Sequence, residues 1–226
     1  MELILDASST TVSTALAKDG ALIWSGQWLS QNDHTRRLMP ELMQGLEATS
    51  TAPRDVTAII VALGPGPFNG LRVAVAAAKG FAIGTGATIY GIGTLEAEAA
   101  RCSPDVLEVR PVLRVGKSGF VTALYARDGF EWHMQDDIQV LDEDALAELP
   151  IGGSALCGEL EPDHVERLTR AMGNRIRVHN PEMTRTESLL RLGYARIAAG
   201  GFTPVALVQP VYARPPHITQ PRDRRT

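Results

Sequence analysis

Ala58-Ile59-Ile60-Val61-Ala62-Leu63-Gly64-Pro65-Gly66-Pro67-Phe68-Asn69-Gly70-Leu71-Arg72-Val73-Ala74-Val75 is the stretch from which the fold can be read. Its first six residues form an apolar run with two isoleucines and a valine, bounded by a turn signal, as in a buried strand. A glycine-rich turn follows. The alanine-rich run from Leu71 to Ile83 is apolar all round and predicts a buried helix, with Asn69 as its N-cap. Such a loop can offer backbone N–H groups to an anion at the positive end of a helix dipole. Pro65 and Pro67 remove two of those donors. The spacing G-x-G-x-x-x-G is one residue too long for the dinucleotide motif, and no Lys-Ser/Thr pair follows Gly70. The residues favour a conformational or interface role over direct phosphate binding.

Upstream, Leu3-Ile4-Leu5 predicts a strand ending at Asp6, and Ala7 to Thr11 a polar turn. Val12 to Ala17 and Ala21 to Trp28 are strands joined by the Asp19-Gly20 hairpin. Leu38, Met39, Leu42, Met43 and Leu46 recur at helical spacing after Asp33, a candidate cap, and Pro40 is tolerable only within the first turns. Downstream, glycine at 84 and 86 ends the buried helix, Thr88 to Ile92 is a strand, and Thr94 caps a short helix to Arg101. The order is βββαβαβα, with the later strands parallel and covered by helices.

Ser103-Pro104-Asp105 marks a boundary. Beyond it, strands are predicted at 109–115, 120–127, 130–134, 155–157 and 175–178. Helices are predicted at 142–149, capped by Asp142, and at 163–172 and 186–199. The same βββαβαβα order recurs without a residue-level repeat. The segment from Phe202 to Tyr212 is extended. The division expected is 1–104, 105–215, and a disordered basic tail at 216–226.

The chain of 226 residues has 44% hydrophobic and 21% charged residues, ordinary for a globular protein. A net charge of −4 argues against a strong nucleic-acid binder, since phosphate affinity needs clustered Lys and Arg. Cys102 and Cys157 lack CxxC spacing and read as packed, reduced thiols. With no charged leader and no apolar run of membrane length, a cytoplasmic protein without membrane contact is expected.

Two tandem βββαβαβα halves describe the duplicated, RNase H-like fold of actin, Hsp70 and sugar kinases (ASKHA), with mixed sheets flanked by helices. Ile4-Leu5-Asp6-Ala7-Ser8, Asp33-His34-Thr35 with Leu38 and Pro40, and Gly64-Pro65-Gly66-Pro67-Phe68-Asn69-Gly70-Leu71-Arg72 carry a more specific likeness. The chain resembles the bacterial TsaB (YeaZ) family, whose signature GPGSFTGLR stands after the same strand. Gln209-Pro210-Val211-Tyr212-Ala213-Arg214 resembles that family's P-V-Y-L-R ending. The likeness is strong over the first hundred residues, weak through the middle, and returns at the end.

That resemblance implies a non-catalytic subunit in the synthesis of N6-threonylcarbamoyladenosine at adenosine 37 of tRNAs that read codons starting with A. The implied partners are the catalytic paralogue TsaD, the small ATPase TsaE, and tRNA through the complex, with a homodimer when alone. Leu38, Met39, Leu42, Met43, Leu71 and Val75 are the expected interface residues. Asp6, Ser8, Thr10, Gly64, Gly66, Asn69, Gly70 and Arg72 are candidates for nucleotide or loop contacts. No cofactor is required by the chain alone, and a joint ATP/Mg²⁺ site in the assembly stays open. The alternatives are a stand-alone actin-like ATPase or kinase using Asp6, Ser8 and Thr10, and an adaptor for another partner.

The residues agree with a role outside catalysis. No two of the five histidines stand at i, i+4, so a local metal pair is not built. His34 reads as a helix-start or interface hydrogen-bonder. Leu113-Arg114-Val115-Gly116-Lys117-Ser118-Gly119 has no carboxylate where the family shows Asp-Ala-Arg, and its Gly-Lys-Ser is no P-loop. One carboxylate, Asp6, is thin support for Mg²⁺–nucleotide. Pro67 and Asn69 replace the signature's Ser and Thr; a proline that stiffens the turn is the favoured reading.

Overall fold

A computed structural model describes residues 1–116, 119–129, 131–149, 155–173, 177–179 and 181–213. The predicted tail at 216–226, Lys117-Ser118 and the predicted strand starts at 130 and 175 lie outside them.

The first sheet has the order β3-β2-β1-β4-β5, from β1 (Glu2–Asp6), β2 (Thr11–Lys18), β3 (Ala21–Leu29), β4 (Ala58–Gly64) and β5 (Thr88–Gly93). β1 pairs antiparallel with β2 and parallel with β4, and β4 pairs parallel with β5, as the intervening helices demand. Alternation along the strands serves two layers. Leu3, Leu5, Ile59 and Val61 pack with Leu38, Leu42 and Leu46 of α1 (His34–Ala48) and with Ala74, Val75, Ala78 and Ala82 of α2 (Phe68–Thr85). Ile4, Ile60, Ala62 and Ile92 face the other way, onto α3 (Thr94–Ala99) and α6 (Arg185–Ala198).

The second sheet runs β10-β7-β6-β11-β12, with β8 pairing β6 and β9. These are β6 (Glu108–Val115), β7 (Gly119–Thr122), β8 (Tyr125–Asp128), β9 (Glu131–Met134), β10 (Gln139–Leu141), β11 (Ala155–Gly158) and β12 (Arg177–Val178). Its inner residues Val109, Leu113, Ala155 and Cys157 join the α3–α6 layer. Its outer residues Val112, Phe120 and Leu156 pack with Leu146 of α4 (Glu143–Glu148) and with Leu168 and Met172 of α5 (Pro162–Met172). The chain is therefore layered α/β/α/β/α, the tandem actin-like arrangement expected from the order of elements.

Four details differ from expectation. The strand predicted at 120–127 is interrupted at Ala123-Leu124, where Asp136 accepts from the Leu124 N–H at 2.5 Å; β7 and β8 both still pair with β6. The short β10 was not foreseen. Thr94 does not cap α3: Gly93 stands at that position, and Thr94 is buried with its hydroxyl unpartnered. The cut between 104 and 105 divides the sequence but not the packing. α6 lies across the first sheet, where Gly193 meets Ile60 so closely that a Cβ would stand 2.3 Å from its side chain. Val208 is buried in the first sheet's outer layer, and Thr203 donates its N–H to Ile89 O at the free edge of β5.

Candidate functional site

Three places hold the residues singled out by sequence: the signature loop, the cleft at the end of β1, and the faces of α1 and α2.

The loop packs against the chain's own backbone. A Cβ on Gly66 would stand 2.3 Å from Ser8 O; on Gly70, 2.3 Å from Ala7 O and 3.0 Å from His34 Nε2. Only hydrogen fits at both positions. Gly64 leans likewise on Val211 O, and the Val211 N–H donates to Leu63 O at 2.7 Å. The glycines thus let the loop, the 7–9 turn and the C-terminal segment approach one another, in line with a conformational role. Asn69 is not the cap: α2 begins at Phe68 behind Pro67, and Asn69 is exposed in the first turn. Arg72 is exposed, its guanidinium 5.0 Å over the Phe68 ring, which stacks on Tyr212 at 4.9 Å.

At the cleft, Asp6 is 1% exposed. Its Oδ1 accepts from the Ser8 N–H at 2.9 Å and the Ser8 hydroxyl at 2.5 Å. Its Oδ2 receives Nε of Arg185, from the first turn of α6, at 2.6 Å. The same guanidinium reaches Ser9 Oγ at 2.6 Å, Glu98 Oε1 at 3.0 Å and Glu159 Oε1 at 3.4 Å. Both oxygens of Glu98, which is fully buried, also accept from Nη1 of Arg101, at 2.9 and 2.7 Å. Burial alone would lower the Arg185 pKa, but Asp6, Glu98 and Glu159 reverse this and hold it well above the ordinary value. Burial pushes the Glu159 carboxyl up, partly offset by Arg185. Thr10, by contrast, is exposed, and only its carbonyl is engaged, by the Ser30 N–H at 2.8 Å.

Sequence reasoning found Asp6 and Ser8 here but missed Arg185, Glu98 and Glu159. Glu98 was readable as a carboxylate inside the alanine-rich, buried α3. Arg185 sits inside the capping box Thr184-Arg185-Thr186-Glu187, where Thr184 accepts from the Glu187 N–H and donates to its carboxylate. The carboxylate missing from the second half's first hairpin is supplied instead at the exit of β11, where Glu159 also accepts from the Arg114 N–H at 3.0 Å.

The helix faces require a correction. Leu38 and Leu42 are 1% exposed, Leu71 0% and Val75 4%; Leu38, Leu42 and Val75 pack in the layer that covers the sheet, and Leu71 lies against Gly64 at the end of β4. They cannot themselves meet a partner. Met39 and Met43 of α1 and Ile83 of α2 are exposed apolar side chains, 40%, 48% and 77% accessible, as is Phe68 at the start of α2, and α2 also exposes the small residues Ala76 and Gly80. His34 is buried at the start of α1, its Nδ1 3.2 Å from Ser30 Oγ. Cys102 and Cys157 are buried free thiols. Among the described residues no group of three His, Cys, Asp or Glu side chains could hold a metal ion, and no helix is long and apolar enough to cross a membrane.

Residues 28–147, more than half of the chain, match the family model described as TsaD, tRNA N6-adenosine threonylcarbamoyltransferase. The chain is 28% identical over 149 residues to the tRNA threonylcarbamoyladenosine biosynthesis protein TsaB of Escherichia coli, covering 65% of this chain and 64% of that one. It is 29% identical over 123 residues to the Bacillus subtilis protein of that name, covering 54% of each. The matched region thus spans between about half and two thirds of the length of these curated relatives. YeaZ from Pseudomonas aeruginosa shares the fold with a TM-score of 0.73 at 23% identity, over 93% of this chain and 98% of that one.

Proposed function

The chain belongs to the threonylcarbamoyltransferase family, in its TsaB (YeaZ) branch, and on that premise we propose that it is the non-catalytic subunit of a tRNA-modifying assembly. It pairs with a TsaD-type catalytic paralogue that threonylcarbamoylates adenosine 37 of tRNAs reading codons that start with A. A TsaE-type ATPase joins the pair, tRNA is met through the complex, and the chain forms a homodimer when alone. Any ATP/Mg²⁺ site lies at a joint surface.

The observation that supports this most is the outer face of α1 and α2. Met39, Met43 and Ile83 are exposed beside small residues, while the leucines of the same helices are fully used in the core. An apolar face with flexible methionines and small neighbours suits close packing against two helices of a partner. The stand-alone ATPase reading is weaker, because Asp6 has both oxygens engaged by Ser8 and Arg185.

Size-exclusion chromatography with light scattering, on the chain mixed with a TsaD-type paralogue, tests the reading. A heterodimer that Met43→Asp abolishes, with circular dichroism unchanged, is expected. Two proteins eluting unchanged, with ATP and the small ATPase present, would overturn it.

A further inference from the structure

We infer that the cleft between the two halves is a guanidinium site filled by the chain itself, and that Arg185 is a positioning residue for the signature loop. The cleft keeps a cavity of about 280 Å³ beside the Arg185 side chain, lined among others by Asp6, Ser9, Glu98 and Glu159. Three carboxylates and a hydroxyl converge on one planar cation. The set takes four hydrogen bonds from the three nitrogens of the fork, in fixed directions that an ammonium ion cannot reproduce. The two arginines of the lining, Arg101 and Arg185, are already engaged by these three carboxylates, so a phosphate would meet a net negative site.

The consequence runs through backbone. Arg185 fixes Asp6, Asp6 accepts from both the N–H and hydroxyl of Ser8, and the Ser8 and Ala7 carbonyls are the surfaces on which Gly66 and Gly70 rest. The guanidinium of α6 therefore sets the turn that the loop before α2 leans on.

The test uses the full chain alone, so its result stands apart from the pairing proposed above. Arg185→Ala is followed by amide hydrogen exchange and thermal unfolding, with methylguanidinium, methylammonium or Mg-ATP added at equal millimolar concentration. Exchange at 6–9 and 66–71 is expected to quicken at least tenfold, and methylguanidinium to restore most of it. Equal restoration by methylammonium, stronger stabilisation by Mg-ATP, or no restoration by any of the three would overturn the guanidinium site. Exchange quickened only within α6, or uniformly along the chain, would overturn the positioning role. Should Arg185→Ala not fold, Arg185→Lys, which keeps the charge and loses the fork, is followed by exchange and unfolding without additives: quickened exchange at 6–9 and 66–71 is expected, and exchange equal to the parent's would overturn the guanidinium site.

Discussion

Each half has a strand that leaves its sheet through a glycine, and the two exits are built on opposite principles. Gly64 at the end of β4 and Gly158 at the end of β11 have φ of 113° and 110°, and a Cβ on either would stand 2.3 Å from a carbonyl oxygen, of Val211 or of Val112. There the likeness stops. The first exit continues Pro65-Gly66-Pro67 and is sealed by backbone on backbone. The second continues Glu159-Leu160-Glu161, with Glu159 turned to Arg185 and Leu160 packed on the outer core. At the position where the first exit has no room for a methyl group, the second holds a leucine. One exit is specified by the absence of side chains and the other by their charge.

The largest effect that would break this contrast is expected at Gly66. Gly66→Ala forces a shift of the 7–9 turn and should destabilise the chain by about 3 kcal/mol, as overpacking does. Chemical denaturation measures it, and a loss below about 1 kcal/mol would show that the first exit yields as easily as the second. Thr184→Ala, which removes the cap that presents Arg185, should cost about 1 kcal/mol. The Thr184 N–H and hydroxyl hold the Glu187 carboxyl below its ordinary 4.5. The cap's stabilisation is therefore present above pH 4.5 and lost as pH falls below it, and the variant's deficit should narrow on acidification.

A smaller change is expected at Glu159, whose pKa is raised above 4.5 by burial. Such a group stabilises most below pH 4.5 and loses that contribution as pH rises through its folded value. Glu159→Gln should thus gain on the parent as pH is raised from 4 to 8; an unchanging difference would mean that the second exit does not depend on charge. Least affected is the outer face of α1: Met43→Asp should alter stability by less than about 0.5 kcal/mol, whereas Leu42→Asp, one residue away and buried, should unfold the chain.

The same contrast explains how much could be read from sequence. The first half was legible because its strands alternate cleanly and its turns carry Asp19-Gly20 and the glycine signature. The methionine stripe of α1 was seen, but spacing alone does not say which edge of a stripe faces inward, so Leu38 and Leu42 were assigned to a partner when the sheet already covers them. α6 was predicted from its leucines, yet nothing local says that it lies on the first sheet; that follows from Gly193 fitting Ile60, a contact 133 residues away in sequence. The Arg185 cluster was missed for a similar reason. Its members are separated by dozens of residues, and no spacing rule links them.

The way the C-terminal segment meets the first sheet bears on synthesis. The free edge of β5 is covered by Thr203, the exit of β4 is pinned by Val211, and Val208 completes the core beneath. A growing chain therefore makes the centre of this sheet early and its border last. Until residues 203–211 have left the ribosome, the strand that will carry the border stands with one edge bare, so the first half to be made is also the last to be finished.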